Sequence, residues 1–174
     1  MSRFYAKALH GGHDGLPTLK KRDVVFAAGN GPEALLGAWM GWARWGMEEH
    51  GKEIDHLGFV GQFMDKTRSG NFLQIIGWDG GEPVAMVELR VLYDALLHRY
   101  TCYGDHAYVH PDYRRRGVMT ALVDYCIATA TLMELKHWVV PVTAGEEASA
   151  PWLKSVYEAA GFRTTGLTMA REVA

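Results

Sequence analysis

Residues 108–122 read Tyr-Val-His-Pro-Asp-Tyr-Arg-Arg-Arg-Gly-Val-Met-Thr-Ala-Leu, and this stretch decides how the chain is understood. A strand ends, Pro111-Asp112 turns the chain, three arginines pass, and after Gly117 the apolar positions recur at helical spacing. The first backbone N–H groups of a helix have no partners within it, and the helix dipole places partial positive charge there. Phosphate oxygens fit that gap. Gly117 lets the backbone come close to such a ligand. Arg114, Arg115 and Arg116 add charge and forked donors.

Working outward, residues 99–109 form the strand that feeds the turn, and 118–135 an amphipathic helix after it. Upstream lies a meander: a strand over 72–78, a hairpin turn at Asp79-Gly80-Gly81, and a returning strand over 83–93. Before that, 23–28 reads as a short first strand. Pro32 and Glu33 open a helix to about residue 50, and a second helix covers 56–66 despite Gly58 and Gly61. Downstream, a strand over 137–143, a helix over 151–160 ended by Gly161, and a strand over 162–171 complete the order. Residues 1–21, rich in glycine, read as a loose N-terminal segment of a single domain spanning 1–174.

The first long helix carries Leu35, Leu36, Trp39, Met40, Trp42, Trp45 and Met47, an apolar face that needs cover. It packs on a sheet, or it forms a homodimer contact or a wall of an acceptor pocket. Gly37 and Gly41 suit close approach by a neighbouring element.

The arginine turn resembles motif A of the GNAT superfamily, the acyl-CoA-dependent N-acyltransferases, whose pattern is [Gln/Arg]-x-x-Gly-x-[Gly/Ala] just after a strand ending near Val-x-Pro. Arg114, Gly117 and Val109-His110-Pro111 match, and Met119 stands where the pattern has Gly or Ala. Residues 151–162 resemble motif B through Tyr157, Gly161 and Phe162, with Ser149 and Ala150 where an Asn is often found. The element order agrees independently. The resemblance implies an α/β (α+β) GNAT fold, a mixed, mostly antiparallel sheet of about six to seven strands flanked by about four helices.

For activity, the resemblance implies transfer of an acetyl group from acetyl-CoA to a primary amine of a small molecule or peptide, by direct attack in a ternary complex. The backbone of Tyr108 and Val109 would pair with pantetheine. The amides of Arg116, Gly117, Val118, Met119 and Thr120 would receive the pyrophosphate, and Arg114 and Arg115 would contact phosphates. Tyr157 would protonate the departing thiolate. A proton acceptor is also required. Asp105 lies four residues before Val109, so period-2 alternation puts both on one face, where family members often keep an acid. Glu88 on the neighbouring strand and His106 on the opposite face are rivals.

Composition narrows the classes. The chain has 174 residues and a formal net charge of -2, so it lacks the global basic field that non-specific nucleic-acid binding uses. Cys102 and Cys126 suggest neither a disulfide framework nor a zinc site, and the histidines show no metal-ligand spacing. The apolar run over 24–47 is broken by Asn30, Pro32, Glu33 and Arg44, and no signal peptide is evident, so the cytoplasm is the expected location. Two alternatives stay open: a GNAT-fold protein acting on a nucleic-acid base or with another acyl donor, and a non-catalytic module that binds CoA or a partner.

Overall fold

The computed structural model describes residues 19–21, 24–44, 51, 53, 55–96, 98–135, 137–140 and 151–164. Ten strands and α-helices follow in order among these residues: β1 (Leu19–Lys21), β2 (Val24–Gly29), α1 (Pro32–Arg44), α2 (His56–Ser69), β3 (Phe72–Asp79), β4 (Glu82–Asp94), β5 (Arg99–Val109), α3 (Val118–Leu132), β6 (Trp138–Val139) and α4 (Pro151–Ala159). The strands form one sheet in chain order. All neighbours are antiparallel except β5 and β6, which pair in parallel through Cys102 with Trp138 and Tyr103 with Val139. The mixed, mostly antiparallel sheet read from the sequence is present. Leu19–Lys21, the end of the segment expected to be loose, is a strand paired with β2. Residues 1–18, the first helix beyond Arg44, the continuation of β6 past residue 140 and the expected final strand from residue 165 lie outside the described residues.

Local chemistry explains the boundaries. Gly80 and Gly81 both take positive φ, 56° and 97°, as the primed turn of a tight β3–β4 hairpin requires. Asp55 caps α2 by accepting the Gly58 N–H at 3.0 Å, and Gly70 closes that helix at φ 69°. The glycine at 58 therefore sits against its cap rather than weakening a helix interior.

The sheet divides two cores. On one face Phe26, Leu73, Ile75, Val87, Leu89 and Cys102 meet α3 through Val118, Leu122, Tyr125 and Cys126. On the other, Ala34 and Ala38 of α1 and Phe63 of α2 pack on Phe72, Ile76, Met86 and Tyr108. Gly37 and Gly41 bring α1 close to that face: a Cβ would stand 2.8 Å from Trp78 Cζ2 at Gly37 and 2.7 Å from Met86 Sδ at Gly41. The described part of the Trp-bearing helix is thus packed on the sheet, with Leu35 and Trp42 against this core. Trp39 donates from Nε1 to Nδ1 of His56 on α2 at 2.9 Å.

One irregularity controls everything downstream. Val87 pairs with Ala107 but Glu88 pairs with Asp105, so His106 is an extra residue in β5, with φ 43°. The alternation count from Asp105 to Val109 fails at this bulge. Asp105 shares the α1/α2 face with its cross-strand partner Glu88 and with Tyr108, whereas Val109 belongs to the α3-side core. His106, expected on the opposite face, stacks edge-on against Trp42 of α1 at 5.1 Å between ring centroids.

Candidate active site

The turn between β5 and α3 is built as the sequence suggests. His110 ends the strand and donates its backbone N–H to Val84 O at 2.8 Å. Pro111–Tyr113 makes one turn of 3₁₀ helix. Tyr113 donates from its hydroxyl to Asp79 Oδ2 at 2.5 Å, which fastens the turn to the β3–β4 hairpin. That hydrogen bond, first among the causes, pushes the Tyr113 phenol above its ordinary range.

Arg115 takes φ 57° and Gly117 φ 80°, so the backbone reverses twice before α3 begins. Gly117 is the N-cap residue, no side chain caps the helix, and the first helical bond runs from Ala121 N–H to Gly117 O at 3.0 Å. The amides of Val118, Met119 and Thr120 therefore point out of the helix end, the arrangement an anion needs.

The expected cofactor residues converge at this place. Arg114, Arg115, Arg116 and Thr120 are exposed around the helix end, while Val118 is buried and Met119 packs partly against the α3-side core. Arg114 folds back: its Nε donates to Val109 O at 2.8 Å and its guanidinium lies 5.8 Å from the Tyr108 ring centre. Arg116 stands 6.0 Å from the ring of Tyr113. Tyr108 and Val109, both buried, are the last residues of β5 before the turn.

A cleft of about 230 Å³ opens on the α1/α2 face at the level of the bulge, lined by Trp42, Phe59, Gln62, Phe63, Lys66, Glu88 and His106. Glu88 is only 3% exposed, and its Oε2 lies 2.6 Å from Lys66 Nζ. Asp105 is held by Arg90 Nε on the adjacent strand. The rivals to Asp105 thus line the cleft, and Asp105 stands beside it in an ion pair.

Lys66 and Gln62 were not singled out by sequence reasoning, although Phe59, Gln62, Phe63 and Lys66 follow one helix face at i, i+3, i+4 and i+7. Tyr157, on α4, is 7% exposed; its ring lies 5.4 Å from that of Phe162, which in turn stacks edge-on against Trp138 of β6 at 4.9 Å. Gly161, at φ 88°, makes the turn that brings Phe162 back.

Residues 31–162 match the Acetyltransferase (GNAT) family. The chain belongs to that family. No curated protein sequence matches this GNAT chain. Solved structures share its fold at low identity. An aminoglycoside acetyltransferase from an uncultured soil metagenomic sample has a TM-score of 0.67 at 16% identity, covering 87% of this chain and 99% of its own. AAC(6')-Iy in complex with the bisubstrate analogue CoA-S-monomethyl-acetylneamine gives 0.68 at 14% identity, with 87% and 98% covered. Glucosamine-6-phosphate N-acetyltransferase from Arabidopsis thaliana gives 0.63 at 10% identity, with 86% and 99% covered. The GNAT chain contains, among the described residues, no helix long and apolar enough to cross a membrane.

Proposed function

We propose that this GNAT protein transfers an acetyl group from acetyl-CoA to the primary amine of a small molecule or peptide, by direct attack in a ternary complex. The observation that carries the reading is the junction of two sites by one strand. β5 ends at an uncapped helix N-terminus framed by arginines, and a few residues earlier its bulge lines a cleft with groups that can hold an amine and take its proton. At about 3.3 Å per residue, the step from His106 to Val109 is roughly 10 Å. The structural neighbours named above act on small amines by their names, and one was solved with a CoA-bearing analogue.

The residues fit the acyl donor. Its pyrophosphate would meet the amides of Val118, Met119 and Thr120, with Arg115 and Arg116 beside them and the Gly117 backbone in close approach. The Tyr108 and Val109 backbone would hold the pantetheine arm, with Arg114 fixing the strand end through Val109 O. When bound, acetyl-CoA supplies an electrophilic thioester carbonyl.

The chain's own groups manage protons. Acylation of an ammonium releases two: one leaves before the nitrogen can attack, and one ends on sulfur. For the first, Glu88 and His106 line the cleft, whereas Asp105 is engaged by Arg90 and orders the bulge. For the second, the Tyr157 hydroxyl is the donor, set in place by the Phe162 stack.

Titration of the protein with acetyl-CoA by calorimetry, beside an Arg114→Ala, Gly117→Trp double variant, tests the reading. Heat of binding in the wild type that disappears in the variant supports it. No binding by the wild type removes it and leaves a module that uses the same surface otherwise.

A further inference from the structure

Building on the acetyltransfer reading, we infer that the acceptor is a small primary monoamine with a flat or apolar body, and that Lys66 occupies the place its ammonium takes. Glu88 is a buried carboxylate that needs a cation, since a lone charge away from water is strongly disfavoured. Lys66 provides one from the end of a flexible side chain that is itself 34% exposed, with its Nζ 2.6 Å from Glu88 Oε2 and 5.5 Å from the centre of the Phe72 ring. A substrate ammonium entering the cleft meets the same partners. Lys66 then swings into water, at little cost for a side chain already one-third exposed.

The rest of the lining describes the body attached to that ammonium. Trp42, Phe59 and Phe63 offer aromatic surface, and His106 stands edge-on to Trp42. Those walls take a flat ring or an alkyl chain, while Gln62 and His106 are the lining's remaining polar side chains. Size agrees, because about 230 Å³ lies below the ~300–1,000 Å³ usual for drug-sized ligands. Charge agrees as well. Among the described residues the cleft lining carries one carboxylate and one ammonium, so a monoamine that displaces Lys66 leaves it balanced, and a polycation does not.

Steady-state acetylation of phenylethylamine and of neamine, with the wild type, Glu88→Gln and Lys66→Gln, tests this. Phenylethylamine is expected to be the better acceptor. Its KM should rise at least about tenfold in Glu88→Gln. In Lys66→Gln it should fall about tenfold, because the resident competitor is gone. The KM for acetyl-CoA should stay put in both. Lys66→Met, which keeps an unbranched stem, should repeat the fall if the glutamine variant folds poorly.

Efficient turnover of neamine but not phenylethylamine overturns the inference, as does a KM that rises when Lys66 is removed. Acetyl-CoA binding without turnover of phenylethylamine also overturns it, while leaving the cofactor site intact. Absence of acetyl-CoA binding to the wild type removes the acetyltransfer reading itself, so the two failures are told apart.

Discussion

The two faces of the sheet are built on different terms. Toward α3 the interior is aliphatic and aromatic and closed, with Phe26, Leu73, Ile75 and Leu122 shut away from water. Toward α1 and α2 the same sheet carries Gln74, Glu88, Arg90 and Asp105, and the helices leave a cleft over Glu88. Even the buried Gln74 serves this side, donating from Nε2 to Val87 O at 3.0 Å beside the bulge. One face therefore holds the fold, and the other spends part of its packing on a place where a ligand can enter. Substitutions should separate the two.

Phe26→Ala, on the closed face, should lower unfolding free energy by about 3–5 kcal/mol in urea titrations, while turnover of the molecules that stay folded is kept. An equal loss of turnover would mean that the closed face also sets the site. Tyr157→Phe, on α4 near β6, should do the reverse. A hundredfold drop in kcat, about 2.7 kcal/mol of barrier, is expected with little change in melting temperature; an unchanged kcat would strip the tyrosine of its role as proton donor.

Gly41→Val presses a side chain toward Met86 on the cleft face and should cost about 1–3 kcal/mol. It should also raise the amine KM, since displacement of α1 carries Trp42 with it. An unchanged KM would show that the cleft wall does not depend on how closely α1 sits.

The last effect is one of pH. Burial, chiefly, raises the Cys102 thiol from 9.0 to about 12, with Asp105 adding to it, and burial likewise raises Tyr125 from 10.0 to about 12. Both groups are neutral when protonated, and the fold favours that form. The unfolded chain therefore loses these protons first, and stability that is whole below pH 9 drains away between pH 9 and 12. Melting temperatures across that range should fall, and more gently in Cys102→Ala. An equally steep fall in Cys102→Ala would assign the alkaline sensitivity to other groups.

Much of this was legible from local signals. Glycine pairs, Pro32 and the periodicity after Gly117 carry their information within a few residues, so elements and the anion-binding turn could be read directly. The cleft could not. Lys66 and Glu88 are separated by 22 positions, and their meeting depends on how α2 lies over β4. The bulge was hidden as well. Nothing in Asp105-His106-Ala107 announces an extra residue, and strict alternation assigned Asp105 to the side of Val109, away from His106, with which it shares a face. Trp42 fell between: its need for cover was evident, and two of the three suggested fates, packing on the sheet and lining a cleft, are met by one side chain.

The extra residue at His106 makes the site a matter of parity. Shortening β5 by that one position leaves three steps from Asp105 to Val109, so plain alternation keeps Asp105 on the face of Tyr108 and opposite Val109. The carboxylate would stay across from Glu88 and within reach of Arg90, and the cleft would lose the His106 ring. Parity would change only if β5 paired without its bulge while keeping every residue, which would slide one half of the strand along β4 by one position. Descendants of this chain are thus free to vary the chemistry of the cleft one side chain at a time, and even to drop His106, as long as Glu88 and Asp105 keep their register.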